Sequence, residues 1–124
     1  MRYDKKDSVL CGRFPFTTCL CEMDMSYLAR YKFSVPLDRD QITLNWKQRG
    51  YSCDLFTDPP GREWNDFVHT TNELVTVMVG TLRLTIGGEE IVAEPGDEVF
   101  IPKNVRHSVK NVSSSTTQWL YGYD

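Results

Sequence analysis

Histidine is scarce in this chain: among 124 residues only His69 and His107 occur. Chemistry that needs an imidazole is therefore confined to two short stretches. Long apolar runs are missing as well. The N-terminus, Met1-Arg2-Tyr3-Asp4-Lys5-Lys6-Asp7, is charged, and no apolar run of signal-peptide length follows it. Nor does any stretch reach the roughly 20 apolar residues that a membrane helix needs. These absences predict a cytoplasmic protein with no membrane partner. Positive charge is neither in excess nor clustered, with 14 Lys and Arg against 17 Asp and Glu and a formal net charge of -3. A phosphate backbone recruits concentrated positive charge, so nucleic acid is not an expected partner. Cysteine is sparse: Cys11, Cys19, Cys21 and Cys53. Without an export signal they read as reduced thiols rather than a disulfide framework. Cys19-Leu20-Cys21 lacks the second close pair that a four-ligand structural zinc site requires.

What is present suits one compact domain, with 40% hydrophobic and 12% aromatic residues. A chain of this length buries roughly two-thirds of its unfolded surface, so folding needs neither a disulfide nor a metal. Any metal would be functional. Residues 1–40 lack strand alternation and carry three of the four cysteines. Within them, Glu22 to Phe33 sets Met23, Tyr27 and Tyr31 at helical spacing, which predicts an irregular or partly helical N-terminal arm whose stripe packs on a sheet or a second subunit.

Residues 41–124 read as short strands and tight turns. Ile42, Leu44 and Trp46 alternate over Gln41 to Lys47, and Tyr51, Cys53 and Leu55 alternate over Tyr51 to Thr57, with Arg49-Gly50 as the turn between them. Asp58-Pro59-Pro60-Gly61 ends the second run. Further strands are predicted over Glu73 to Val79, Thr81 to Ile86, Ile91 to Ala93, Val99 to Ile101, Ser108 to Val112 and Gln118 to Tyr123, with turns at Gly87-Gly88 and Pro95-Gly96-Asp97. About eight strands at this spacing indicate a small sandwich or barrel.

Strand alternation turns Phe67 and His69 the same way, and Glu73 follows after a bend at Thr70-Thr71-Asn72. His107 opens a later strand after a proline-containing turn. Two imidazoles and one carboxylate, on segments that a closed sheet brings together, are what a mononuclear transition-metal site with open positions requires. No nearby residue readily adds a fourth ligand. Glu63 and Asn65 share strand parity with Phe67, but an extended Glu63 lies roughly 20 Å from His69, and Asp66 faces the opposite side of a regular strand.

These stretches resemble the cupin superfamily. Its first motif is glycine, five residues, His-x-His, three or four residues, glutamate, six residues, glycine; this chain has Gly61, Phe67-Val68-His69, Glu73 and Gly80 at that spacing. The second is glycine, five residues, Pro-x-Gly, two residues, histidine, three residues, asparagine; here stand Gly96, Pro102-Lys103-Asn104, His107 and Asn111. The resemblance covers about 42–123 and implies an all-β fold, a cupin-type double-stranded β-helix or jelly-roll barrel. Asn104 replaces a glycine, and asparagine tolerates the positive φ such a turn needs. Phe67 replaces the first histidine, and a phenyl ring cannot coordinate a metal.

The remaining ligand positions of the resemblance are His69, Glu73 and His107. They would hold one divalent transition metal, Fe, Mn, Ni, Co or Zn, and leave positions for a small oxygen-rich substrate. Dioxygenase, isomerase and hydrolase chemistry all suit such a centre, and no catalytic residue beyond the ligands is assigned. The candidate substrate pocket comprises Phe67, Cys53, Tyr51, Trp119 and Tyr121. Trp119, Tyr121 and Tyr123 alternate on the last strand and project to one face. Two other readings stand beside the enzyme: a metal-free binding module for a sugar or small acid, and a mainly structural oligomer subunit. The expected assembly is a homodimer paired through the arm or an edge strand.

Overall fold

The structure, a computed structural model, describes residues 27–124. Its strands are β1 (Leu28–Ala29), β2 (Asp54–Asp58), β3 (Glu63–Phe67), β4 (Glu73–Val79), β5 (Leu82–Ile86), β6 (Glu89–Ala93), β7 (Glu98–Ile101), β8 (His107–Asn111) and β9 (Thr117–Tyr123). A helix, α1 (Arg39–Gln48), lies between β1 and β2. Antiparallel pairing builds a five-stranded sheet in the order β1-β7-β4-β9-β2 and a four-stranded sheet in the order β3-β8-β5-β6. These two sheets form the jelly roll that the motifs imply. Turn chemistry sets the register locally: Gly87 and Gly88, both at positive φ, join β5 to β6 with Ile86 opposite Glu89, as a two-residue hairpin of this hand demands.

Alternation along each strand gives the five-stranded sheet two buried faces. Inward, Val75, Val77, Val99 and Ile101 meet Leu84, Ile86 and Val109 of the other sheet. Outward, Leu74, Phe100 and Leu120 pack with Ile42, Trp46 and Tyr51, so α1 covers that face. The approach is close at Gly122, where an added Cβ would overlap the Ser52 carbonyl oxygen and lie 3.1 Å from Trp46 Cε3. Glu98, fully buried, accepts hydrogen bonds from Arg49 Nη2 at 2.8 Å, Arg49 Nη1 at 3.0 Å and Trp46 Nε1 at 3.0 Å.

α1 replaces the strand expected over Gln41 to Lys47. The side chain of Asp38 caps it, accepting from Asp40 N at 2.9 Å, and Ile42 and Trp46, four residues apart, share its buried face while Leu44 is exposed. The alternation of Ile42, Leu44 and Trp46 was thus a chance overlay on an i, i+4 pair. Arg49 and Gly50 end the helix rather than turning a hairpin. The arm also differs from expectation: Leu28 and Ala29 pair with Val99 and Glu98, so no helix runs over 27–33. Met23, Cys11, Cys19 and Cys21 lie outside the described residues. Because α1 begins at Arg39 and β1 joins the sheet, the folded unit draws on residues before 41.

Candidate functional site

Three elements bring the donors together. Glu73 opens β4 opposite Ile101 and Tyr123, His107 opens β8 opposite Phe67 and Ile86, and His69 sits in the loop between β3 and β4. That loop is tied at several points. Asn104 N–H donates to the His69 carbonyl at 2.7 Å, Lys103 N–H donates to Asn72 Oδ1 at 2.8 Å, and Asn72 Nδ2 donates to Asp124 Oδ2 at 2.8 Å. Asn104 has φ 65°, the conformation the turn needs and asparagine accepts.

A bulge aims the first motif. Trp64 pairs with Val109 and Phe67 with His107, so two residues of β3, Asn65 and Asp66, stand against Ser108 alone. Asp66 takes φ 61°, and its N–H donates to Ser108 Oγ at 3.0 Å. The extra residue inverts the alternation, so Trp64 and Phe67, three apart, share the inner face. Glu63 and Asn65 line a separate shallow groove on the outer side with Arg83 and Lys110. The strand parity that linked them to Phe67 does not hold.

Glu73 Oε1 lies 3.7 Å from His69 Nε2 and 3.6 Å from His107 Nε2, distances too long for hydrogen bonds. It is buried and has no hydrogen-bond partner. Burial pushes the Glu73 carboxyl up to about 8. Burial also lowers the basicity of His107, which its contact with the Val105 carbonyl partly offsets. His107 Nδ1 lies 3.2 Å from that carbonyl; with hydrogen on Nδ1, Nε2 presents its lone pair to Glu73. Tyr123 is pushed up to about 12 by burial, then by Glu73 and Tyr121. One donor atom from each of His69, Glu73 and His107 lies within 4.8 Å of the others. Donors bound at about 2.1 Å to one ion stand roughly 3.0–3.5 Å apart, so the two Glu73–imidazole separations are within a few tenths of an ångström of that range. An orphaned buried carboxylate oxygen facing two imidazole nitrogens fits a divalent transition metal.

These groups border a cavity of about 200 Å³. Phe67, Trp119 and Tyr121 line it, as do Tyr123, Phe56, Trp64 and Val109. Tyr51 and Cys53 do not. They pack beside α1 on the opposite face of the five-stranded sheet, where Thr43 Oγ1 approaches Cys53 Sγ at 3.4 Å and burial raises the thiol. The pocket expected from the sequence includes neither Trp64 nor Phe56. The Asp66 bulge carries Trp64 inward, and pairing of Phe56 with Trp119 places Phe56 beside it.

The sequence profile of the family described as "Cupin domain" matches residues 54–123. Among solved structures, TT1209 from Thermus thermophilus aligns with a TM-score of 0.54 and 25% identity, covering 59% of this chain and 71% of that one. A cupin 2 domain-containing protein from Halorhodospira halophila aligns with a TM-score of 0.56 and 19% identity, over 60% of this chain and 52% of the other. Salicylate 1,2-dioxygenase from Pseudoaminobacter salicylatoxidans, solved with gentisate, gives 0.54 and 19% over 60% of this chain and 20% of that one. The latter two share the fold alone. No curated protein matches the chain.

Proposed function

The chain belongs to the cupin domain family, and on that premise we propose that it binds one divalent transition metal through His69, Glu73 and His107 and acts on a small oxygen-rich substrate. The observation that carries this reading is the Glu73 carboxylate oxygen, buried without a hydrogen bond between two imidazole nitrogens. A buried carboxylate left this way is costly unless something cationic completes it. Fe, Mn, Ni, Co and Zn all accept this donor set. A bound metal of this kind supplies a Lewis acid for oxygen donors of the substrate, in dioxygen insertion, isomerisation or hydrolysis.

The chain's own residues prepare that chemistry. The Val105 carbonyl fixes the orientation of the His107 ring, a role that supporting hydrogen bonds play for metal-binding imidazoles generally. Phe67, where the family motif has a further histidine, stacks on His69 with ring centroids 6.1 Å apart and planes 12° apart. It walls one side of the centre. The proposed assembly is a homodimer, which light scattering over a wide concentration range tests.

Elemental analysis of tag-free protein, beside a Glu73→Ala variant purified identically, tests the reading. Near-stoichiometric metal in the parent and little in the variant is the expected result. Equal, negligible metal in both would move the protein to the second reading, a metal-free binding module for a sugar or small acid. The burial of Glu73 favours that alternative: a carboxyl pushed up to about 8 is neutral at pH 7 and able to donate a hydrogen bond to a ligand.

A further inference from the structure

The cavity wall is a closed circuit of rings. Phe56 lies 5.5 Å from Trp119 and 5.6 Å from Trp64, centroid to centroid. From Trp119 the circuit runs to Tyr121 at 5.8 Å and on to Tyr123 at 6.0 Å. From Trp64 it runs to Phe67 at 6.2 Å and on to His69 at 6.1 Å. His69 and Tyr123 meet at 5.2 Å, which closes it. From Trp64 through Phe56 and β9 to His69, successive planes cross at 74°, 64°, 59°, 70° and 72°, while the return through Phe67 is shallower, at 43° to Trp64 and 12° to His69. Steep crossings make the walls of a box. A slot for a flat ring would need large faces set parallel across the gap.

Strand register gives this box two chemically different ends. Glu73 is paired with Tyr123 and Phe67 with His107, so the donors share one layer. Val77 is paired with Trp119, Phe56 with Trp119 and Trp64 with Val109, so the indoles and Phe56 share the other. Among the described residues no lysine or arginine lines the cavity, and Glu73 is its one carboxylate. A positive group at the aromatic end would lie among several rings and meet no competing cation from within. A primary ammonium has three N–H donors to satisfy, and the only oxygen acceptor among the described side chains lining that end is the Tyr121 hydroxyl. A methylated ammonium has no such demand. From outside the cavity, the Arg62 guanidinium already sits 4.2 Å from the Trp64 centroid and 5.9 Å from that of Phe56, and Trp64 Nε1 donates to Asp58 Oδ2 at 3.2 Å. Trp64 is thereby fixed in place before any ligand arrives.

We propose that the cavity takes a small zwitterion, its methylated ammonium seated among Phe56, Trp64, Trp119 and Tyr121 and its carboxylate turned to His69, Glu73 and His107. The ammonium half stands on the rings alone; the carboxylate half rests on the metal reading. Metal-stripped full-length protein titrated with choline, and with the neutral isostere in which carbon replaces the nitrogen, separates charge recognition from apolar burial. Choline should bind about tenfold more tightly or better, read by calorimetry and by the fluorescence of Trp64 and Trp119. Trp64→Leu and Tyr121→Leu, each checked for folding by circular dichroism, should each reduce that preference severalfold. Equal affinity for the two probes, no binding of choline, or tighter binding of benzoate than choline would overturn the ammonium half. Glycine betaine is then compared with and without one equivalent of zinc. Zinc should tighten its binding and leave choline no tighter. Zinc that binds without this effect overturns the carboxylate half alone; zinc that does not bind overturns that half together with the metal reading, and the choline comparison still decides the ammonium half.

Discussion

Two glutamates, Glu98 and Glu73, lie at the starts of neighbouring strands and are buried to nearly the same degree, at 0% and 5% exposure, yet they are treated in opposite ways. Glu98 faces outward under α1, where Arg49 and Trp46 engage both its oxygens. Glu73 faces inward, where one oxygen has no hydrogen bond and its neighbours are imidazole nitrogens beyond 3.5 Å. Saturated hydrogen bonding marks the first as a strut between helix and sheet. The second lacks such partners, and burial raises its affinity for a proton. Burial alone therefore does not distinguish structure from function; the identity and distance of the partners do.

Breaking the strut should give the largest effect. Glu98→Ala removes the buried carboxylate from Arg49, whose Nη1 still donates to Asn45 Oδ1 at 2.7 Å, and leaves the Trp46 N–H without its acceptor, and urea unfolding is expected to show a loss of about 3–5 kcal/mol. The corresponding change at Glu73 strands no hydrogen-bond partner and acts on ligation instead. Supporting hydrogen bonds alone are worth roughly 10–100-fold in metal affinity, so removing a donor by Glu73→Gln should weaken metal binding by about 100-fold or more, measured by competition with a chelating dye.

The same contrast predicts a pH dependence in the metal-free protein. Glu73 titrates near 8 when folded against 4.5 for the free side chain, so between those values the folded state holds more protons than the unfolded state. Stability should therefore fall as pH rises through this window, with a limiting slope of about 1.4 kcal/mol per pH unit. His107, whose basicity is lowered from 6.5 in the fold, acts in the opposite sense below that pH, so the clean interval is 6.5 to 8. Urea midpoints across it should drop in the parent and stay flat in Glu73→Gln. Phe67→His sharpens the comparison by restoring the family donor; metal affinity should rise about tenfold, roughly 1.4 kcal/mol. The smallest effect belongs to the exposed pair Lys110 and Glu63, 3.2 Å apart, where Glu63→Ala should leave the urea midpoint unchanged.

The sequence and the structure agree where local pattern and tertiary role coincide. Glu73 to Val79 begins and ends as its alternation predicts, because β-branched residues suit a strand buried on both faces. The Gly87-Gly88 hairpin and the Asn104 turn follow from backbone conformations that few other residues adopt. Alternation misled at α1, where three apolar positions fit a strand while the Asp38 cap and the i, i+4 pair Ile42 and Trp46 specified a helix. It misled again at Tyr51 and Cys53, which alternate as expected but face the helix rather than the cavity.

By itself the sequence determined the motif spacing that identifies the family, the three donor residues and the rings of the last strand, since each depends on residue type and on short separations along one chain. Only the tertiary structure decided which groups those donors would lack and which rings would surround them. The single extra residue at Asp66 carries Trp64 inward, and sheet pairing brings Phe56 against Trp119. Both depend on contacts between strands distant in the chain, and a one-residue shift in pairing sends every side chain to the other face.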